Sequence, residues 1–177
     1  MRKRRNITHD RLRELVFYDG RAGTFTWLPR RGDDGETSRW NSRYAGKSAG
    51  VFHKSSGYHR ICVEGVVYQG HRLAWFYAHG RWPSHMIDHV DGNPLNNAIS
   101  NLREATMQQN QANRRPKPGT ISGLKGVTKP ARSPKWLAKV RLNGRDIRIG
   151  RFDTKEEAAA AYHRAAVENF GAFARSK

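Results

Sequence analysis

Asp88 and His89 stand side by side in Ile87-Asp88-His89-Val90-Asp91-Gly92-Asn93-Pro94 and set a carboxylate next to an imidazole. Hydrolysis of a phosphodiester asks for that combination. A divalent cation that neutralises the phosphate and the departing alkoxide prefers oxygen ligands. The attacking water needs a base within hydrogen-bond reach, and histidine titrates nearest to neutral pH. Asn110, farther along, offers an amide oxygen as a second metal ligand. Neighbours on an ideal strand point to opposite faces. Asp88 and His89 can therefore serve one phosphate only if the chain twists or leaves the strand there, which the Asp91-Gly92 turn permits.

The elements that must position these residues read as strand, Asn-rich loop, strand and helix. The first strand runs into His89, and Asn96, Asn97, Ser100 and Asn101 fill the loop. Leu102 to Ala105 forms a second strand, and Thr106 N-caps a helix through Asn113. The N-terminus of that helix favours phosphate. Upstream, Leu12 to Tyr18 predicts a short helix, Gly23 to Leu28 a strand, and residues 29–49 a long loop. Tyr58 to Val63 and Val66 to Tyr68 predict a hairpin around Glu64-Gly65. His71 to His79 suits a helix stopped at Gly80, with Pro83 beyond. Some readings stay open: Asn96 and Asn97 as loop structure or DNA contacts, His71 as a packing or substrate residue. Asp91 to Pro94 reads as a turn, and His53, His59, His79 and His85 have no metal-site spacing.

His71-Arg72-Leu73-Ala74-Trp75, the Asp88-His89-Val90-Asp91-Gly92-Asn93 run, Asn101-Leu102-Arg103 and Gln109-Asn110 together resemble the HNH endonucleases, in particular the phage and intron-encoded homing type with a ββα-metal fold. The resemblance covers residues 56–113, with its motif core at 71–113. It implies that Asp88 and Asn110 hold one Mg²⁺ or Mn²⁺ ion, that His89 is the general base, and that Asn101 pins the loop through backbone hydrogen bonds. The helix residue is Asn110, where other members of the superfamily carry a histidine. Such a protein is expected to be encoded by a phage or mobile element and to work in the cytoplasm of a bacterial host.

Charge points to the same class of partner. The 177 residues hold 33 Lys+Arg against 15 Asp+Glu, a net +18, which implies a polyanionic partner. A single cysteine, Cys62, excludes a disulfide framework and a multi-cysteine zinc site. No apolar run reaches the roughly 18 residues of a membrane span, so a soluble protein in a reducing compartment is expected. Residues 1–113 hold 17 basic and 10 acidic residues, net +7, and residues 114–177 hold 16 and 5, net +11. Arg114-Arg115-Pro116-Lys117-Pro118-Gly119 marks a linker between two modules. The expected organisation is a basic arm at 1–10, a β-rich region and nuclease module at 11–113, a linker at 114–120, and a second module at 121–177.

In the second module, Lys135 to Leu142 alternates, Asn143-Gly144 is a type I′ turn, and Arg145 to Gly150 alternates again. That turn pairs Leu142 with Arg145, Arg141 with Asp146, Val140 with Ile147, Lys139 with Arg148, and Ala138 with Ile149. One face then carries Trp136, Ala138, Val140, Leu142, Ile147 and Ile149; the other carries Lys139, Arg141, Asp146 and Arg148. Thr154-Lys155-Glu156-Glu157 is a capping box that opens an Ala-rich helix ending at Gly171. Ala158, Ala161, Tyr162 and Ala165 form its small-residue stripe, and Leu124 to Thr128 adds a third strand. A basic twisted sheet of this size can enter a major groove.

Gly123-Leu124-Lys125-Gly126-Val127, Lys135-Trp136-Leu137-Ala138 and Ile149-Gly150-Arg151-Phe152-Asp153-Thr154 resemble the plant ethylene-response-factor (Apetala-type) DNA-binding domain, which also occurs fused to homing HNH nucleases. The family's DNA contacts fall on Lys125, Lys139, Arg141, Asp146 and Arg148. The expected fold class is α+β: a ββα-metal nuclease module, then a three-stranded antiparallel sheet packed on one helix. The expected function is metal-dependent cleavage of double-stranded DNA. The alternative is a sequence-specific DNA-binding regulator with an inactive nuclease fold.

Overall fold

Residues 7–116 and 119–175 are described by a computed structural model. The basic residues Arg2 to Arg5, and Lys117-Pro118 of the expected linker, lie outside them. The chain divides into two compact units, Met1–Glu104 and Ala105–Lys177.

In the first unit, α1 (His9–Leu15) is capped by the Thr8 hydroxyl and buries Leu12 and Leu15. The helix predicted for Leu12 to Tyr18 stops at Leu15. Val16, Phe17 and Tyr18 suit an extended backbone better, and they form β1 (Val16–Asp19), paired with β2 (Thr24–Trp27). Within the expected loop at 29–49 stands α2 (Gly35–Tyr44), which buries no residue. Its large apolar side chains are only Trp40 and Tyr44, too few to announce a helix among Arg, Ser, Gly and Asp. The Asp34 carboxylate caps it by accepting from Glu36 and Thr37 N–H. Asn41 and Arg30 exchange two hydrogen bonds, and the Arg30 guanidinium lies 3.9 Å over the Trp40 ring.

β3 (Val51–His53), β4 (Tyr58–Val63) and β5 (Val66–Gln69) form an antiparallel sheet. Glu64 and Gly65 both have positive φ, as the predicted two-residue turn requires. α3 (Gly70–His79) lies against this sheet and ends at Gly80. β6 (Met86–His89) pairs with β7 (Leu102–Ala105), and a short 3₁₀ turn (Ile99–Asn101) leads into β7. The core gathers Leu12, Val16, Phe25, Ile61, Leu73 and Ile87 around Leu102 and Phe76.

In the second unit, α4 (Met107–Asn113) opens with a Thr106–Gln109 capping box. The unit boundary falls before this helix and not at the proline-rich segment. Inside the unit, α4 packs on α5 (Lys155–Phe170) and on the 3₁₀ turn after it. β8 (Val127–Thr128), β9 (Trp136–Leu142) and β10 (Arg145–Phe152) form a three-stranded antiparallel sheet with β9 central, and α5 covers it. The register follows the predicted one from Leu142–Arg145 to Lys139–Arg148, then shifts, so that Ala138 pairs with Gly150 and not with Ile149. Past this bulge Ile149 packs against both small core clusters, while Ile147, paired with Val140 ahead of it on the edge strand, is 45% exposed. The Phe152 ring lies over Gly150, where a Cβ would stand 3.1 Å from it. The buried stripe of α5 is Ala158, Ala161, Tyr162 and Ala166, with Ala165 partly buried beside it.

Candidate active site

β6 does not alternate at its end: Ile87, Asp88 and His89 are all buried, with Asp88 4% and His89 6% exposed. β6 stops at His89 because the chain turns away: Val90 N–H donates to Asn101 O and Gly92 N–H to His89 O. The strand thus ends directly after the Asp88–His89 pair.

Asn101 builds the turn. Its Oδ1 accepts from Asp91 N–H at 3.0 Å, and its Nδ2 donates to Asp91 Oδ1 and to Asn96 O. Asp91 completes the lattice by accepting from Asn93 N–H and Asn96 Nδ2. Partial burial works against the Asp91 charge, but the hydrogen bonds from Asn93, Asn96 and Asn101, with His89 nearby, hold its carboxyl below the usual range. The Asp91 turn is thus structural, as its sequence suggests, and it also bonds to a predicted site residue.

Asp88 faces a partner that the sequence reading leaves out. Arg103 on β7 donates from Nε to Asp88 Oδ2 at 2.9 Å. The signal was a cation two residues beyond Asn101, on the strand paired with β6, and finding it required the cross-strand register. His89 Nε2 lies 3.2 Å from Asn97 Oδ1, and Asn97 is 2% exposed. Between Asn96 and Asn97 the sequence holds no sign of which amide turns inward.

A second imidazole stands beside the first. The His71 and His89 rings are 5.3 Å apart edge to face, and Tyr58 packs on His71 at 4.9 Å. Burial, together with His89 and Arg72 nearby, pushes the His71 imidazole down to about 3. Burial lowers His89 as well, opposed by the Asn97 hydrogen bond and by Asp91 and Asp88. Both rings are therefore neutral at neutral pH, the state a general base requires.

The first unit thus brings together Asp88, His89 and Asn101. Asn110 lies on α4 in the second unit, its N–H bonded to Thr106 O. Among the described residues no three His, Cys, Asp or Glu side chains form a metal-holding group. One buried carboxylate suits a hard cation such as Mg²⁺, which binds through one or two carboxylates and keeps several waters. The donor chemistry at Asp88 fits the expected ion.

In the second unit, Lys139, Arg141, Asp146 and Arg148 share one face of the sheet, as cross-strand partners in the predicted register. Asp146 sits among the cations: Lys139 Nζ is 2.8 Å from its Oδ2 and Arg141 Nη1 3.8 Å from its Oδ1. Lys125 is placed differently. Its ammonium donates to the carbonyls of Gln111, Ala112 and Arg114 at the end of α4, where helix carbonyls lack partners.

No helix of the described residues is long and apolar enough to cross a membrane. Residues 68–112, from β5 to α4, match the family described as HNH endonuclease. An uncharacterized HNH endonuclease of Acanthamoeba polyphaga mimivirus is 44% identical over 96 residues, which is 54% of this chain and 49% of that protein. The chain thus spans about half the length of that relative. Protein 3.8 of Escherichia phage T7 is 37% identical over 106 residues, covering 59% of this chain and 87% of the phage protein. With the buried Asp88–His89 pair inside the matched segment, residues 68–112 are an HNH endonuclease domain.

Proposed function

We propose that the protein is a metal-dependent endonuclease of the homing type, which hydrolyses phosphodiester bonds in double-stranded DNA and is held on its target by the sheet of the C-terminal unit. One observation carries the reading: a buried His89 stands next to a buried carboxylate, at the end of β6.

His89 takes the proton from the water that attacks phosphorus. Asn101 and Asp91 keep the turn behind it rigid, so the ring does not have to be ordered during the reaction. Asp88 is the carboxylate that would hold Mg²⁺ or Mn²⁺, and Asn110 is the amide ligand that the family pattern adds. Such an ion supplies neutralisation of the phosphate and of the departing alkoxide. Lys139, Arg141 and Arg148 bind the DNA backbone and bases, in line with the resemblance to the ethylene-response-factor domain. Lys125 is left to the end of α4.

Nicking of supercoiled plasmid in Mg²⁺ tests the reading. Wild-type protein relaxes the plasmid, and His89→Ala slows nicking at least about 100-fold. Full activity in His89→Ala overturns the assignment. The Arg103–Asp88 ion pair favours a second reading, a DNA-binding regulator with an inactive nuclease fold. Binding without cleavage under every divalent ion decides for it.

A further inference from the structure

Asn97 is almost fully buried, yet it takes no part in the lattice of side-chain hydrogen bonds that shapes the loop, which Asp91, Asn93, Asn96 and Asn101 supply. Its side-chain oxygen faces His89 Nε2 at 3.2 Å. An amide oxygen carries no hydrogen, so the proton in this bond belongs to Nε2. A neutral imidazole has one N–H, so the lone pair then lies on Nδ1.

Asn97 is itself held from behind by the β1–β2 hairpin. The Tyr18 hydroxyl donates to Asn97 O at 2.6 Å, and Ile99 N–H donates to Gly20 O at 2.9 Å. Gly23, at φ +69°, passes so close that a Cβ there would stand 2.4 Å from Asn97 C and 2.3 Å from Ala98 N. Only a glycine fits that approach. On the other side Gly70 leaves room for the amide, since a Cβ would sit 3.1 Å from Asn97 Nδ2. Tyr18 is buried and stacks on Phe25 at 4.7 Å, so its hydroxyl is fixed in turn.

We propose that Asn97 is the positioning residue for His89: it selects the Nε2–H tautomer and leaves Nδ1 as the basic nitrogen, and the β1–β2 hairpin keeps it in place. The inference rests on His89 being the general base, but its central claim is a tautomer, which is measured without any cleavage.

The test uses the full chain labelled with ¹⁵N at histidine. Two-bond proton–nitrogen spectra at about pH 8, where imidazole is neutral, read the His89 ring, and His89→Gln assigns its signals. Wild-type protein is expected to show the Nε2–H form alone. Asn97→Ala mixes the two tautomers, and Asn97→Asp, which keeps an acceptor of the same shape, restores Nε2–H. In plasmid nicking, Asn97→Ala and Tyr18→Phe lower kcat roughly tenfold or more with the Kd for DNA unchanged, and Asn97→Asp recovers part of the loss. An Nδ1–H ring in the wild type, or an unchanged tautomer ratio in Asn97→Ala, overturns the proposal. If Asn97→Ala does not fold, Asn97→Asp decides: retention of Nε2–H supports the proposal and its loss refutes it. Wild-type kcat in Tyr18→Phe removes the hairpin from it. An Asn97-dependent tautomer in a protein that cleaves no DNA would refute the nuclease reading and leave the positioning role standing.

Discussion

Arg103 on β7 reaches across to β6 and places its Nε 2.9 Å from Asp88 Oδ2, on a carboxylate whose side chain is only 5% exposed. A buried carboxylate cannot lose its cation without cost. Arg103→Met is therefore expected to lower unfolding stability by about 2 kcal/mol in EDTA. Millimolar Mg²⁺ should recover part of that loss, because the ion supplies the positive charge that the guanidinium took away. Urea unfolding with and without Mg²⁺ checks both halves. A variant as stable as wild type in EDTA contradicts the first, and one that Mg²⁺ does not stabilise contradicts the second.

Acid stability should depend on His71. Its folded imidazole resists protonation down to about 3, whereas the unfolded chain takes up that proton near 6.5. Between those values the unfolded state binds the extra proton. The His71 contribution is thus complete above about pH 6.5 and is lost progressively as pH falls toward 3, to the extent of a few kcal/mol at most. His71→Gln should flatten the fall in Tm between pH 7 and pH 4, leaving the smaller slope that His89 adds in the same direction. An unchanged slope in the variant rules out His71 as the source.

Binding by the basic sheet face should follow the salt law of phosphate contacts. If about eight phosphates are neutralised, the slope of log K against log salt is near −7, and each phosphate-contacting cation removed makes it shallower by about 0.9. Arg148→Ala should show one such step. Asp146→Asn should act in the opposite sense and tighten binding several-fold at low salt, because its carboxylate neighbours both Lys139 and Arg141. Fluorescence anisotropy across a salt series measures both. A slope that Arg148→Ala leaves unmoved takes that residue off the DNA.

Gly126 should tolerate no side chain. At φ +69°, a Cβ there would stand 2.1 Å from the Tyr162 ring and 2.7 Å from Lys139 O. Neither the buried ring nor the strand backbone can retreat. Gly126→Ala is expected to cost about 2–4 kcal/mol, seen as an earlier thermal transition by circular dichroism, while Gly119→Ala, with open space around it, should cost less.

Both hairpins were legible because their turns are chemically special: Glu64-Gly65 and Asn143-Gly144 both take positive φ, and the second turn carried the register correctly as far as Lys139–Arg148. Beyond that point a bulge at Ile149 shifts the register, placing Gly150 opposite Ala138, and the alternating pattern carries no sign of it. The exposed α2 was not legible because its large apolar side chains are only Trp40 and Tyr44, and it is held by the Asp34 cap, the Asn41–Arg30 bonds and Trp40 packed against Trp27. That Asp88, His89 and Asn101 lie close together around one turn followed from their spacing in the strand–loop–strand segment. Their supports were not legible: Arg103 acts through cross-strand pairing, Asn97 through one of two consecutive amides, and Tyr18 from seventy-nine positions away.

The hydroxyl of Tyr18 and the bare backbone of Gly23 sit well upstream of the segment matched by the family, which begins at residue 68. A nuclease cassette trimmed to the matched borders would keep its histidine and discard the clamp behind it. Portability of this domain thus has a minimum length: a graft that starts after Val16 loses the Tyr18 hydroxyl bonded to Asn97 O and the Gly23 backbone packed on Asn97 and Ala98.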